Sequence, residues 1–230
     1  MYHDITYRKL IYPFVLFPIL STNAYAEIVD FIHIDIPGLH EKDQSGKYDK
    51  QLINKLETAH FKDYNIKVVP AARAFVEFQQ CANCCISPVN FNDSFYDFKR
   101  NDYLYTKNPM GIAEIYIWTL SGKGAISKIS DLTDKRVGIR RGMPLGKIIE
   151  NANLNFQKSN SILQNIKKLE SGRIDAFIDY NPDVPNALKA NGYEGKVIYD
   201  QSTPLEIHPD HYICKKTDSA DKIMRILNGS

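Results

Sequence analysis

Apolar positions along the 230-residue chain switch repeatedly between short continuous runs and a spacing of three and four. The first pattern predicts buried strands, and the second predicts helices with one inward face. A strand is predicted over 28–34, then a helix over 48–61 with Leu52, Ile53, Leu56 and Ala59 on one side, then a strand over 65–69. Pro70 suits the first turn of a helix, where its missing N–H would have no partner anyway. Ala74, Phe75 and Phe78 line the inner side of that helix, and a third strand over 84–88 completes one small α/β unit.

An irregular, aromatic-rich stretch follows over 89–110, after which the alternation restarts with a strand over 112–120. Further strands are predicted over 135–140, 174–179 and 196–199. Between them fall a helix over 144–152 with Leu145, Ile148 and Ile149 inward, and one over 161–171 with Ile162, Leu163, Ile166 and Leu169 inward. Gly172 stops the latter, and Asn181-Pro182 opens another helix that ends near Gly192. Residues 203–210 carry two prolines and little periodicity, and a strand over 211–215 and a short helix to Leu227 close the chain. Alternating strands and helices of this kind stack as β-α-β units around parallel sheets.

The N-terminus has a different layout. Arg8 and Lys9 precede an apolar run over 10–20, followed by Ser21-Thr22-Asn23 and Ala24-Tyr25-Ala26. This is the three-part order of a secretory signal. The run contains Pro13 and Pro18 and is shorter than the ~20 residues that span a bilayer. Cleavage after Ala26 is expected, giving an exported product that works in the periplasm or outside the cell. Removing 1–26 takes away two cations and one acid, so the net charge of +2 falls to about +1. A near-neutral chain has no electrostatic footprint for nucleic acid.

Cys81, Cys84, Cys85 and Cys214 are the only cysteines. An even number in an oxidising compartment favours disulfides. Cys81-x-x-Cys84-Cys85 has a spacing that chelates zinc elsewhere, but no second Cys-x-x-Cys or His-x-x-x-His accompanies it. A structural bridge is therefore the expectation, with no metal and no cofactor.

Gly46-Lys47-Tyr48-Asp49, the run Ile129-Ser130-Asp131-Leu132-Thr133-Asp134-Lys135-Arg136-Val137-Gly138-Ile139 ending in Arg141-Gly142, and Leu169-Glu170-Ser171-Gly172-Arg173-Ile174-Asp175-Ala176-Phe177-Ile178 resemble the family 3 extracellular solute-binding proteins. These are the two-lobed receptors of amino-acid-type ABC importers. The resemblance implies an α/β, two-lobed periplasmic binding protein-like (type II) fold, with parallel-rich sheets and two crossover hinges, near Ile112 and near Leu205. Lobe 1 would comprise 27–111 plus 209–230, and lobe 2 would comprise 112–208. A monomer of this kind binds a small, anionic or carboxylate-bearing solute between its lobes and hands it to an inner-membrane ABC-type permease; the alternative is a periplasmic sensor or a divergent binding module outside transport.

In amino-acid binders an arginine nine residues before a proline in the first crossover clamps the substrate carboxylate, which matches Arg100 before Pro109. The helix start at Gly142 would add N–H donors from the opposite lobe. The threonine usual after that glycine is replaced by Met143 or Pro144. The aspartate that takes a substrate ammonium falls at Tyr180, with Asp179 one place early and, by strand alternation, on the other face. Ser87, at the end of the third strand, completes the candidate substrate contacts. The resemblance also places the strand of Cys84 and Cys85 beside that of Cys214, so a bridge across those strands is open as well as a local one.

No Cys-His or Ser-His-Asp arrangement stands in any motif, and the six histidines are scattered, so a binding protein without catalytic residues is expected rather than an enzyme. N-terminal sequencing of the exported product should begin at Glu27. An intact Met1 on a soluble cytoplasmic species would overturn the export reading.

Overall fold

The structure, a computed structural model, describes residues 27–229. The predicted signal segment lies outside the described residues. The elements are β1 (Val29–Ile34), α1 (Lys47–Thr58), β2 (Tyr64–Val69), α2 (Ala71–Gln80), β3 (Cys84–Val89), β4 (Tyr103–Tyr105), β5 (Gly111–Leu120) and β6 (Arg136–Arg140). They continue as α3 (Lys147–Glu150), β7 (Asn155–Ser159), α4 (Ile162–Glu170), β8 (Ala176–Asn181), α5 (Asp183–Ala190), β9 (Val197–Ile198), β10 (Glu206–Lys215) and α6 (Asp218–Asn228).

The strands run in the order β2-β1-β3-β10-β5-β8-β6-β7. Parallel pairing is confined to two outer groups: β2-β1-β3 on one side and β8-β6-β7 on the other. The middle is antiparallel. β10 pairs with β5 through Glu206–Asp210 and with β3 through His211–Cys214, so one strand serves both groups.

Strand alternation divides the core. Val29, Phe31 and Cys85 point to the face covered by α1 and α6, where Leu52, Leu56, Ile223 and Leu227 pack. Ile32, Ile34 and Ile86 point to the other face, beneath Ala74 and Phe78 of α2. In the second group, Tyr116, Trp118 and Phe177 meet Ile162, Ile166, Val184 and Leu188 of α4 and α5. Polar caps fix where the helices begin. The Ser161 hydroxyl accepts the Gln164 N–H, and the Thr217 hydroxyl accepts the Ala220 N–H. Gly172 and Gly229, both at positive φ, end α4 and α6.

Several expectations are corrected. The helix predicted over 144–152 is a single turn, α3, because Gly142 and Gly146 hold positive φ of 77° and 88° and keep the chain irregular up to Lys147. Its Leu145 and Ile149 are buried, but Ile148 is 63% exposed. In α1, Leu52 and Leu56 are buried, Ile53 is half-buried and Ala59 caps the end in solvent. β7 was missed: its sequence is mostly polar and it has only β6 as a neighbour, so it carries no apolar alternation. β10 begins five residues before the predicted strand, with Pro209 opposite Ile112.

A disulfide joins Cys85 of β3 to Cys214 of β10, directly opposite in the ladder and 129 residues apart in sequence. Cys81 and Cys84 carry free thiols. Closing so long a loop restricts the unfolded chain, and loss of a native bridge commonly costs about 2–5 kcal/mol. Denatured, unreduced protein should therefore titrate two thiols. A Cys85→Ser, Cys214→Ser variant should lose stability of that order in urea unfolding.

Candidate functional site

The carboxyl ends of both parallel strand groups open onto one crevice, the position where open α/β sheets present ligand-binding loops. One wall holds Asp35 after β1 and Pro70 and Ala71 after β2. The other holds Arg140 and Arg141 at the end of β6 and Asn160 and Ser161 after β7. These enclose about 230 Å³. A second cavity of about 710 Å³ shares Arg140 and Met143 and is bounded by Phe75, Tyr96, Phe98, Tyr103 and Lys158. The shared residues make the two cavities one crevice with a polar end and an aromatic end, within the size range of small-molecule sites.

The walls touch at defined points. A Cβ at Gly142 would come within 2.6 Å of Ala72, so only glycine allows this approach of the β6 loop to α2. The Lys147 N–H donates to the Ser94 carbonyl at 2.8 Å.

Beneath the crevice lies a buried charge cluster. Arg140 Nε is 2.9 and 2.8 Å from the two Asp179 oxygens, and Nη2 donates to Asp179 at 2.6 Å and to Asp183 at 2.5 Å. All three side chains are buried. Two carboxylates share one guanidinium. Burial pushes the Asp183 carboxyl up to about 6; Arg140 pulls it down, and the neighbouring Asp179 charge adds to the rise.

A second network ties the central strand to its surroundings. The Tyr48 hydroxyl donates to Asp210 at 2.8 Å, His208 Nδ1 lies 2.9 Å from the other Asp210 oxygen, and the Tyr96 hydroxyl lies 3.0 Å from His208 Nε2.

The structure scatters the six predicted substrate contacts. Gly142 and Met143 line the crevice. No helix starts at Gly142, so the expected N–H cluster is absent there. Asp179 is held by Arg140 and also accepts the Tyr180 N–H. The Tyr180 hydroxyl donates to the Pro144 carbonyl. The Ser87 hydroxyl is buried 3.1 Å from His40 Nε2, and Ser87 lines neither part of the crevice. Arg100 is exposed, with its guanidinium 5.4 Å and 5.1 Å from the Phe91 and Tyr105 ring centres. It lines a different cavity, of about 640 Å³, with Asn90, Lys107 and His211. Sequence reasoning passed over Asp35, Arg141 and Ser161, which look like ordinary loop residues until the strand ends meet.

These features define a two-lobed binding-protein fold of the type II class. No family model matches the chain, and no curated protein matches it in sequence. Solved structures do match it in fold. An ancestral arginine-binding protein bound to arginine aligns at TM-score 0.65 and 18% identity, over 89% of this chain and 92% of that one. The GluR0 ligand-binding core from Nostoc punctiforme in complex with L-glutamate aligns at 0.69 and 15%, over 87% and 91%. A putative L-cystine ABC transporter protein from Listeria monocytogenes aligns at 0.65 and 18%, over 89% and 90%.

The Asp183 shift carries a sign. Between about pH 4 and 6 the folded state holds a proton that the unfolded state has released, so this group costs stability as the pH rises, fully so above about 6. Asp183→Asn should gain stability relative to wild type over that interval, by up to roughly 3 kcal/mol. Urea unfolding at both ends of the interval measures it, and a constant difference would refute it. Arg140→Ala leaves two carboxylates buried and should cost about 3–5 kcal/mol.

Proposed function

We propose that this chain is an exported solute-binding protein that captures a small, carboxylate-bearing solute in the crevice and presents it to an inner-membrane permease or sensor. The observation that carries this reading is the polar end of the crevice, where Arg141 and Asp35 face a shared space of about 230 Å³. Neither side chain has an ion-pair or hydrogen-bond partner among the described residues. A guanidinium offers a planar fork that fits a carboxylate with two parallel hydrogen bonds. Asp35 suits an ammonium on the same solute, and the aromatic end accommodates its apolar part.

The neighbours in fold are named as binding proteins and ligand-binding cores, which supports binding over catalysis. We assign 27–111 plus 209–230 to one lobe and 112–208 to the other, with β10 and the start of β5 as the crossings about which they close. Among the described residues no helix is long and apolar enough to cross a membrane, consistent with a periplasmic location.

Arg100 lines a different cavity, so we assign the clamp to Arg141 instead. Native mass spectrometry of the purified protein identifies a retained solute, and calorimetry with that solute tests the clamp. Arg141→Ala should weaken binding by about 30-fold or more, as expected when one partner of a desolvated pair is removed, while Arg100→Ala should stay within about threefold. The reverse outcome would restore Arg100 as the clamp and overturn this assignment.

A further inference from the structure

We propose that His33, His40 and Asp49 bind one divalent transition-metal ion of the zinc class, in the core of the first strand group and apart from the solute crevice. His33 lies on β1, His40 in the following loop and Asp49 on α1, and all three are fully buried. His33 Nδ1 is 2.8 Å and His40 Nδ1 is 2.6 Å from the same oxygen, Asp49 Oδ1. All three donor atoms lie within 4.8 Å of one another. Two imidazole nitrogens and a carboxylate oxygen converging on one point are a ligand set that suits zinc.

The surroundings match what a metal site needs around its ligands. A ligating imidazole uses its other ring nitrogen to bond an oxygen, which fixes tautomer and orientation. Here His40 Nε2 is 3.1 Å from the Ser87 hydroxyl, and His33 Nε2 is 3.3 Å from the Tyr212 hydroxyl. The free Asp49 oxygen accepts the Glu41 N–H at 2.8 Å.

Charge agrees with this geometry. Burial pushes His33 down to about 3 and lowers His40 as well. Burial works against the Asp49 carboxylate too, yet the hydrogen bonds from both histidines hold it below its usual range, so it stays charged. No lysine or arginine pairs with Asp49 among the described residues. Buried charges are ordinarily paired or bound to metal, and neutral imidazoles are the form that ligates.

The site is closed to solvent, so the ion enters as the chain folds. The test is to refold the full chain from guanidinium chloride in metal-free buffer, with and without added zinc, and desalt. About one zinc per chain should be retained, with the melting temperature raised by roughly 5–10 °C over metal-free protein. Cobalt in place of zinc should give the visible bands of a low-symmetry, near-tetrahedral site, and zinc should bleach them. A His33→Gln, His40→Gln double variant should lose both signals. Three outcomes would overturn the proposal: melting that does not change with zinc, no cobalt band in wild type, or full zinc retention by the double variant. Should the double variant fail to fold, the wild-type cobalt spectrum decides.

Discussion

One strand has to complete two sheets at once. β10 gives its first half to β5 and its second half to β3, and neither parallel group reaches the other without it. One buried polar network of the molecule gathers along this strand. His208 and Asp210 sit where β10 passes between the groups, and both are buried. Each is bonded to a tyrosine from elsewhere in the chain: Tyr48 comes from α1 and Tyr96 from the aromatic stretch. Two residues further along, Tyr212 reaches His33, and Cys214 is bridged to Cys85. The covalent bridge thus lies at the end of β10 that pairs with β3.

Two of the buried carboxylate centres answer the cost of desolvated charge in different ways. Asp179 and Asp183 share the guanidinium of Arg140, whose planar fork satisfies several oxygens at once. Asp49 has two imidazole rings and a backbone N–H around it. A cluster whose two carboxylates are already bonded to its own arginine forms the floor of the crevice. It has little to offer a ligand, whereas the exposed Arg141 and the half-buried Asp35 line the crevice above it.

The aromatic stretch over 89–110 contributes to both packing and site. Tyr96 and Phe98 stack at 5.3 Å, Phe98 and Tyr103 pack together, and all three still face the crevice. Such rings bury much area at small cost in side-chain freedom, so they can wall a cavity while holding a loop without regular structure in place.

The order of strands and helices was legible in the sequence, because burial on one face or both imposes a period that local residues must obey. The α1 pair Leu52 and Leu56 and the stop at Gly172 are local facts of that kind. The spacing of Leu145, Ile148 and Ile149 fitted a helix equally well, yet Gly142 must pass against Ala72, a contact 70 residues away in sequence that no local pattern contains. The same holds for the chemistry. His33, His40 and Asp49 share no motif spacing, and Arg141 and Asp35 resemble any surface charges. The sequence by itself determined most of the strands and helices, with β7 and the length of α3 as exceptions, and that they build a two-group α/β molecule. Only the tertiary structure decided which charges are neutralised inside, which stay free at the crevice and which cysteines meet, because those depend on distances between residues far apart along the chain.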